Sequence, residues 1–310
     1  MNKVSGFFDA SGKQETLDDK VLVVAASLAT PFYWQEFSKE WIEYLIDKEY
    51  PIKKGKTKPT FHTVDFHYGN YPLRKDFGWD EDRKKDLYDG LIRLIKRRTE
   101  YSVATAVDLE DYRRFVSEYP ASVHMWTNAG MFASAMCLFK CREWAEARKY
   151  DETISYIYDR NDTFAADLRD EYNYLCDNPE AAKWWYFKAG GLTDGNKEIH
   201  IPIQSVDLVA WEVARNYKEA QKASPDGDFK TRHELIELSH VNAEYKLYGY
   251  EDFVIFWHDH VEDGVLKVKE DLLKRGVIKT DAEFDEEHEK YARKLLNLTT
   301  DEIEKLKDDE

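Results

Sequence analysis

The chain has 310 residues, 61 acidic against 45 basic, and a formal net charge of -16, which excludes a protein that coats nucleic acid nonspecifically by neutralising phosphates. Hydrophobic residues make up 43%, with 20 Tyr, 16 Phe and 9 Trp, enough apolar area to offset chain entropy and to exclude wholesale disorder. No apolar run approaches the roughly 20 residues that span a bilayer, and the opening MNKVSGFFDASGK lacks a signal-peptide pattern, so a cytoplasmic protein without a membrane partner is expected.

The first expected strand covers residues 4–8 and runs into Asp9-Ala10-Ser11-Gly12, whose Ser and Gly are turn formers. Residues 21–28 are an uncharged run of Val, Leu and Ala, as in a strand buried on both faces, and the short connection favours an antiparallel hairpin. Pro31 opens a helix whose Phe37, Trp41 and Leu45 repeat every four residues. After the basic loop 51–59, residues 60–68 are rich in Thr, Phe, Val and Tyr and predict a strand, and 87–98 predict a helix. Residues 102–107 predict a strand, 123–148 a long and largely buried helix, 153–158 a strand ending at Asp159, and 164–176 a helix. A short strand is expected at 197–201, and Pro202 suits the first turn of a helix through Tyr217. Residues 1–224 therefore predict a mixed α/β domain, and 225–310 a mostly helical, acidic extension with an aromatic cluster at 245–257.

Three cysteines, Cys137, Cys141 and Cys176, give neither a disulfide framework nor paired zinc spacing. Residues 48–98 carry fourteen basic residues against eight acidic ones, a positive segment in an acidic chain. Its loop Lys53-Lys54-Gly55-Lys56-Thr57-Lys58 lacks the spacing of a nucleotide P-loop, but beside an acidic site it would steer a phosphate backbone; a solvated loop is the plain alternative. His258-Asp259-His260, expected on a strand without a third ligand, reads as a surface pair, and Trp184-Trp185-Tyr186-Phe187 as core.

Asp9 and Asp159 each stand at the C-terminal end of a strand, where sheets of this class gather their sites. Asp207 falls at the edge of the apolar arc of its helix. Each aspartate alone also fits a structural role: Asp9 and Asp159 as turn residues, Asp207 as a solvated helix edge. Together, carboxylates drawn from distant segments need a cation, and magnesium or manganese is expected. Metal-dependent phosphoryl transfer is the chemistry such a set performs.

Phe7-Phe8-Asp9-Ala10-Ser11-Gly12, Ile157-Tyr158-Asp159 and the late Pro202-Ile203-Gln204-Ser205-Val206-Asp207-Leu208 resemble, in that order and over roughly residues 1–217, the domain of unknown function 3800 family. The resemblance implies a ribonuclease H-like fold, a mixed sheet flanked by helices, with acidic residues for divalent metal and a nuclease or related activity on RNA or DNA. The family's middle motif is similar to Thr60-Phe61-His62-Thr63-Val64-Asp65, with Thr60 where the family has an acid. Strand alternation would put His62 and Asp65 on opposite faces, so one of them is expected to assist. The expected metal ligands are Asp9, Asp159 and Asp207, with Asp65 as a fourth catalytic acid and Ser11, His62, Lys53, Lys54, Lys56 and Gln204 toward substrate. The alternative is a catalytically degenerate binding or scaffold protein that engages a protein partner through its acidic C-terminal region.

Overall fold

The computed structural model describes residues 3–12, 20–68, 79–120, 122, 128–150, 153–162, 164–177, 189–222, 230–239, 243–260 and 280. Its strands are β1 (Ser5–Ser11), β2 (Val21–Ala29), β3 (Tyr101–Asp108), β4 (Ile154–Asp159), β5 (Ala189–Gly195) and β6 (Ala243–Tyr248). Among the described residues the helices are α1 (Pro31–Asp47), α2 (Thr63–Tyr68), α3 (Glu81–Arg98), α4 (Leu109–Glu118), α5 (Ala129–Ala147), α6 (Ala165–Asp177), α7 (Pro202–Lys222), α8 (His233–Ser239) and α9 (Tyr250–His260). The chain divides into two compact units: residues 1–12, 23–106 and 133–246, and residues 13–22, 107–132 and 247–310.

The six strands form one sheet in the order β5-β4-β1-β2-β3-β6. β1 runs antiparallel to β2, as the hairpin predicts, with Asp9 opposite Ala25, and parallel to β4, with Phe8 opposite Tyr158. β5 adds parallel to β4. This mixed sheet with flanking helices is an α/β fold consistent with the ribonuclease H-like class.

β1 has a different neighbour on each face. Phe7 meets Trp34 of α1 edge-on at 5.1 Å, and the Trp34 indole N–H donates to Ser5 O at 2.9 Å. Phe8 stacks on Tyr158 at 4.4 Å on the opposite face, toward α5, whose Cys137 and Cys141 thiols are among the groups around the buried Tyr158 phenol. Gly6 keeps β1 in place: a Cβ there would stand 2.7 Å from both Leu28 and Tyr156 side chains. β2 is buried along its whole length, which explains its unbroken apolar run. Gly90 of α3 plays the same part between helices, since Tyr44 of α1 fills the space a side chain would need.

Several expectations are corrected. Residues 60–68 contain no strand; Thr63–Tyr68 is a short helix, so His62 and Asp65, three residues apart, share a side instead of alternating. Residues 197–201 are a turn, and the strand lies earlier, at Ala189–Gly195. α4 was not anticipated, although Asp108 caps it and Leu109, Tyr112, Phe115 and Val116 are its buried stripe. In the second unit, Phe253 of α9 packs on Tyr112 and Phe115 of α4 at 5.6 and 5.5 Å. His258-Asp259-His260 lies on helix α9, not on a strand. Trp184 to Phe187 lie outside the described residues. Among the described residues no helix is long and apolar enough to cross a membrane.

Candidate functional site

The parallel register of β1 and β4 sets Phe8 against Tyr158, so the next residue of each strand, Asp9 and Asp159, come side by side at the sheet's edge of carboxyl ends. α7 starts at Pro202, and its first two turns, buried from Pro202 to Ala210, bring Asp207 to the same place. Asp9 is 1% exposed, Asp159 2% and Asp207 5%, so none of the three is a solvated surface carboxylate.

One cation joins them. The Lys197 ammonium, in the turn after β5, lies 2.7 Å from Asp9 Oδ2, 2.8 Å from Asp207 Oδ1 and 3.4 Å from Asp159 Oδ2. Lys197 donates a hydrogen bond to Asp207 Oδ1, and its contact with Asp9 is a close ion pair. Asp207 Oδ2 also accepts from Thr63 N and Thr63 Oγ1, both at 2.7 Å, which explains why a short α2 forms at a segment of high strand propensity. Asp159 Oδ1 accepts from Asn161 N and Nδ2 at 3.1 and 3.0 Å, closing the turn that carries Asp162.

Burial dominates the electrostatics. It drives the Asp9 carboxyl well above its usual range, against the pull of Lys197 and with Asp162 and Asp207 adding to the rise. Asp162 is pushed up to about 8 by burial and then by Asp159. Burial acts upward on Asp207 too, but Lys197, His62 and the Thr63 N–H outweigh it and hold that carboxyl at about 2. Burial opposes the charge on Lys197, yet Asp207 and Asp9 keep its ammonium well above the ordinary lysine range. Burial, more than the neighbouring carboxylates, is what raises Asp9 and Asp162.

An all-oxygen set of buried carboxylates is the donor chemistry that suits a hard divalent cation such as magnesium or manganese. Its present arrangement is built on Lys197: among the described residues no group of three or more His, Cys, Asp or Glu side chains is disposed to hold a metal.

The other expected residues form a layer around this centre. His62 Nε2 lies 3.8 Å from Asp207 Oδ1, and its Nδ1 lies 3.2 Å from Asp65 Oδ2. Asp65 pairs with Lys53 at 3.3 Å and does not reach Lys197 directly. Lys56 pairs at 2.7 Å with Glu198, the neighbour of Lys197, so the basic loop is tied to the site at two points. Lys54 lies in the same loop. Gln204 is buried: its Oε1 accepts from Trp41 Nε1 and Phe61 N, both at 2.9 Å, and its Nε2 donates to Lys197 O at 2.6 Å. It is a positioning residue for Lys197, not a group that can meet substrate. Ser11 lines a cavity of about 730 Å³.

Sequence reasoning missed Lys197, Asp162 and Thr63. Asp162, three residues after Asp159 in a polar turn, was legible as a fourth carboxylate; a lone lysine in an unpatterned turn has no periodic signature.

No protein-family model matches the chain, and no curated protein is found similar to it.

Proposed function

We propose that this chain is a divalent-cation-dependent nuclease that hydrolyses phosphodiester bonds of RNA or DNA in the cytoplasm, a relative of the domain of unknown function 3800 family with a ribonuclease H-like site. The observation that carries this is the meeting of Asp9, Asp159 and Asp207, from two parallel strand ends and a helix, around a single cation position. Asp9, Asp159 and Asp207 would hold magnesium or manganese, which would take over the charge that Lys197 now supplies. When bound, that cation would activate water and stabilise the leaving oxygen. The chain's own groups do the rest. Thr63 fixes one oxygen of Asp207, His62 bridges Asp207 to Asp65, and Lys53 and Lys56 put positive charge at the rim for a phosphate backbone.

A second reading, a catalytically degenerate binding protein acting on a protein partner, is supported by the same Lys197, whose ammonium already sits against the three carboxylates. Cleavage of labelled single- and double-stranded RNA and DNA in manganese separates the two. A nuclease cuts at least one of them and loses cleavage in Asp9→Asn with its fold retained. Full cleavage by that variant rejects the site, and no cleavage of any substrate by the wild type favours the binding protein.

A further inference from the structure

The parallel ladder between β1 and β4 ends one residue short of the two aspartates it aligns, its last pair being Phe8 with Tyr158. Ser155 N donates to Val4 O at 3.3 Å, so every second residue of β1, Val4, Gly6, Phe8 and Ala10, turns its backbone groups toward β4. The next rung would take the Ala10 N–H, but β4 ends at Asp159, where the chain bends and the Asp159 carbonyl accepts from Asp162 N at 3.1 Å. On its other side the main-chain pairing runs on, with Arg160 N donating to Gly195 O at 3.1 Å.

The Asp162 carboxylate fills the missing rung by accepting the Ala10 N–H. The turn that presents it is itself fixed. Asn161 N and Nδ2 donate to Asp159 Oδ1 at 3.1 and 3.0 Å, and Ala165 N, at the start of α6, donates to Asp162 O at 3.1 Å. A turn aspartate commonly bonds the backbone of its own turn; here Asp159 does so, which leaves the Asp162 side chain to reach across to β1. It thereby ties the residue after Asp9 to the turn that begins at Asp159. β2 holds the far side of β1 through the Asp9–Ala25 and Ala10–Val24 pairs, but it carries none of the acid set, so that ladder does not set the distance from Asp9 to Asp159. Asp162 Oδ2 is buried and has no hydrogen-bond partner among the described residues, so one oxygen makes the tie.

Resting on the divalent-cation reading of the site, we infer that Asp162 is a positioning residue: by bridging the end of β1 to the turn after β4, it sets Asp9 against Asp159 at the spacing a shared cation needs. Partners that orient metal ligands without touching the metal typically carry about 10–100-fold of the affinity. Asn offers the same acceptor at the same reach without the charge, Ala offers neither, and Glu keeps the charge but moves it by a methylene.

The test compares wild type with Asp162→Asn, Asp162→Ala and Asp162→Glu in two measurements. Hydrogen exchange at the Ala10 amide, read by NMR in EDTA, reports the tie itself: it is slow in wild type and Asp162→Asn and at least about tenfold faster in Asp162→Ala. A manganese titration of thermal stability reports the consequence: the midpoint concentration rises about 10–100-fold in Asp162→Ala and Asp162→Glu, and about threefold or less in Asp162→Asn. A residue that only holds its turn together would lower the melting temperature in EDTA without moving that midpoint. Should Asp162→Ala not fold, Asp162→Ser, too short to reach Ala10, takes its place. Unchanged Ala10 exchange in Asp162→Ala overturns the inference, as does an unmoved manganese midpoint in that variant. A midpoint that rises as far in Asp162→Asn as in Asp162→Ala also overturns it, because the charge and not the hydrogen bond is then what matters. No manganese response in wild type rejects the cation reading and the inference with it, whereas a normal wild-type response with unchanged Ala10 exchange in Asp162→Ala rejects the inference alone.

Discussion

Lys197→Met removes a buried ammonium and leaves Asp9, Asp159 and Asp207 facing one another. The lysine side chain is 16% exposed and the partner side chains 2%, 3% and 6%, so water does not make up the loss. Taking away one partner of a buried ion pair costs about 3–5 kcal/mol, because the remaining charge is buried uncompensated. Protonation of Asp162, pushed up to about 8, relieves part of that, which places the expected loss near the lower bound, about 3 kcal/mol at neutral pH. At about 2 °C per kcal/mol for a chain of this size, the melting temperature in EDTA falls by roughly 6 °C. Manganese then raises the variant's melting temperature more than the wild type's, since the cation no longer competes with an ammonium. Differential scanning fluorimetry with and without EDTA measures both effects. A variant that melts within a degree of wild type in EDTA and responds to manganese no more strongly refutes the view that Lys197 is the site's resident cation.

Three further outcomes are expected. Gln204→Ala strands the Trp41 indole N–H, the Phe61 N–H and the Lys197 carbonyl, and each buried orphan costs about 1–3 kcal/mol; chemical denaturation shows a loss of at least about 2 kcal/mol, and a smaller loss means water replaces the amide. For pH, Asp162 titrates at about 8 in the folded chain against 3.8 ordinarily, so the folded state holds a proton that the unfolded state releases, and stability falls as pH rises between those values. His67, lowered to about 3 from 6.5, acts in the opposite sense below 6.5, so the clean window is pH 6.5 to 8. In EDTA the melting temperature declines across that window and Asp162→Asn flattens the decline; an unchanged slope in the variant contradicts the raised carboxyl. Thr63→Val removes a hydroxyl donor 2.7 Å from Asp207 Oδ2 while keeping its backbone N–H bond, and about 1–3 kcal/mol of stability with it, read by denaturation; a neutral result means the N–H alone fixes Asp207.

The acid set was legible because its members sit where pattern and punctuation coincide: Asp9 and Asp159 stand at the ends of strands of clear composition, and Asp207 lies in the second turn of a proline-started helix. What failed were segments whose structure is imposed from outside. Thr60 to Tyr68 has strand-like residues, but Asp207 captures the Thr63 N–H and Oγ1, and His67 and Phe66 stack on Trp211 and Tyr88, so tertiary contacts select a helix. β5 reads AGGLTDG, with three glycines, and is a strand because β4 supplies a parallel edge for it; at Gly190 the Thr153 side chain occupies the space a Cβ would need. Lys197 was invisible for the same reason: only the meeting of three distant carboxylates gives it a role.

The central claim is that Asp9, Asp159 and Asp207 form a divalent-cation site, and a manganese titration of thermal stability on wild type and Asp9→Asn tests it most directly. A cation that binds only the folded state raises the melting temperature with concentration. The predicted result is a dose-dependent rise in wild type that is lost in Asp9→Asn. No rise in either protein, or an equal rise in both, contradicts it.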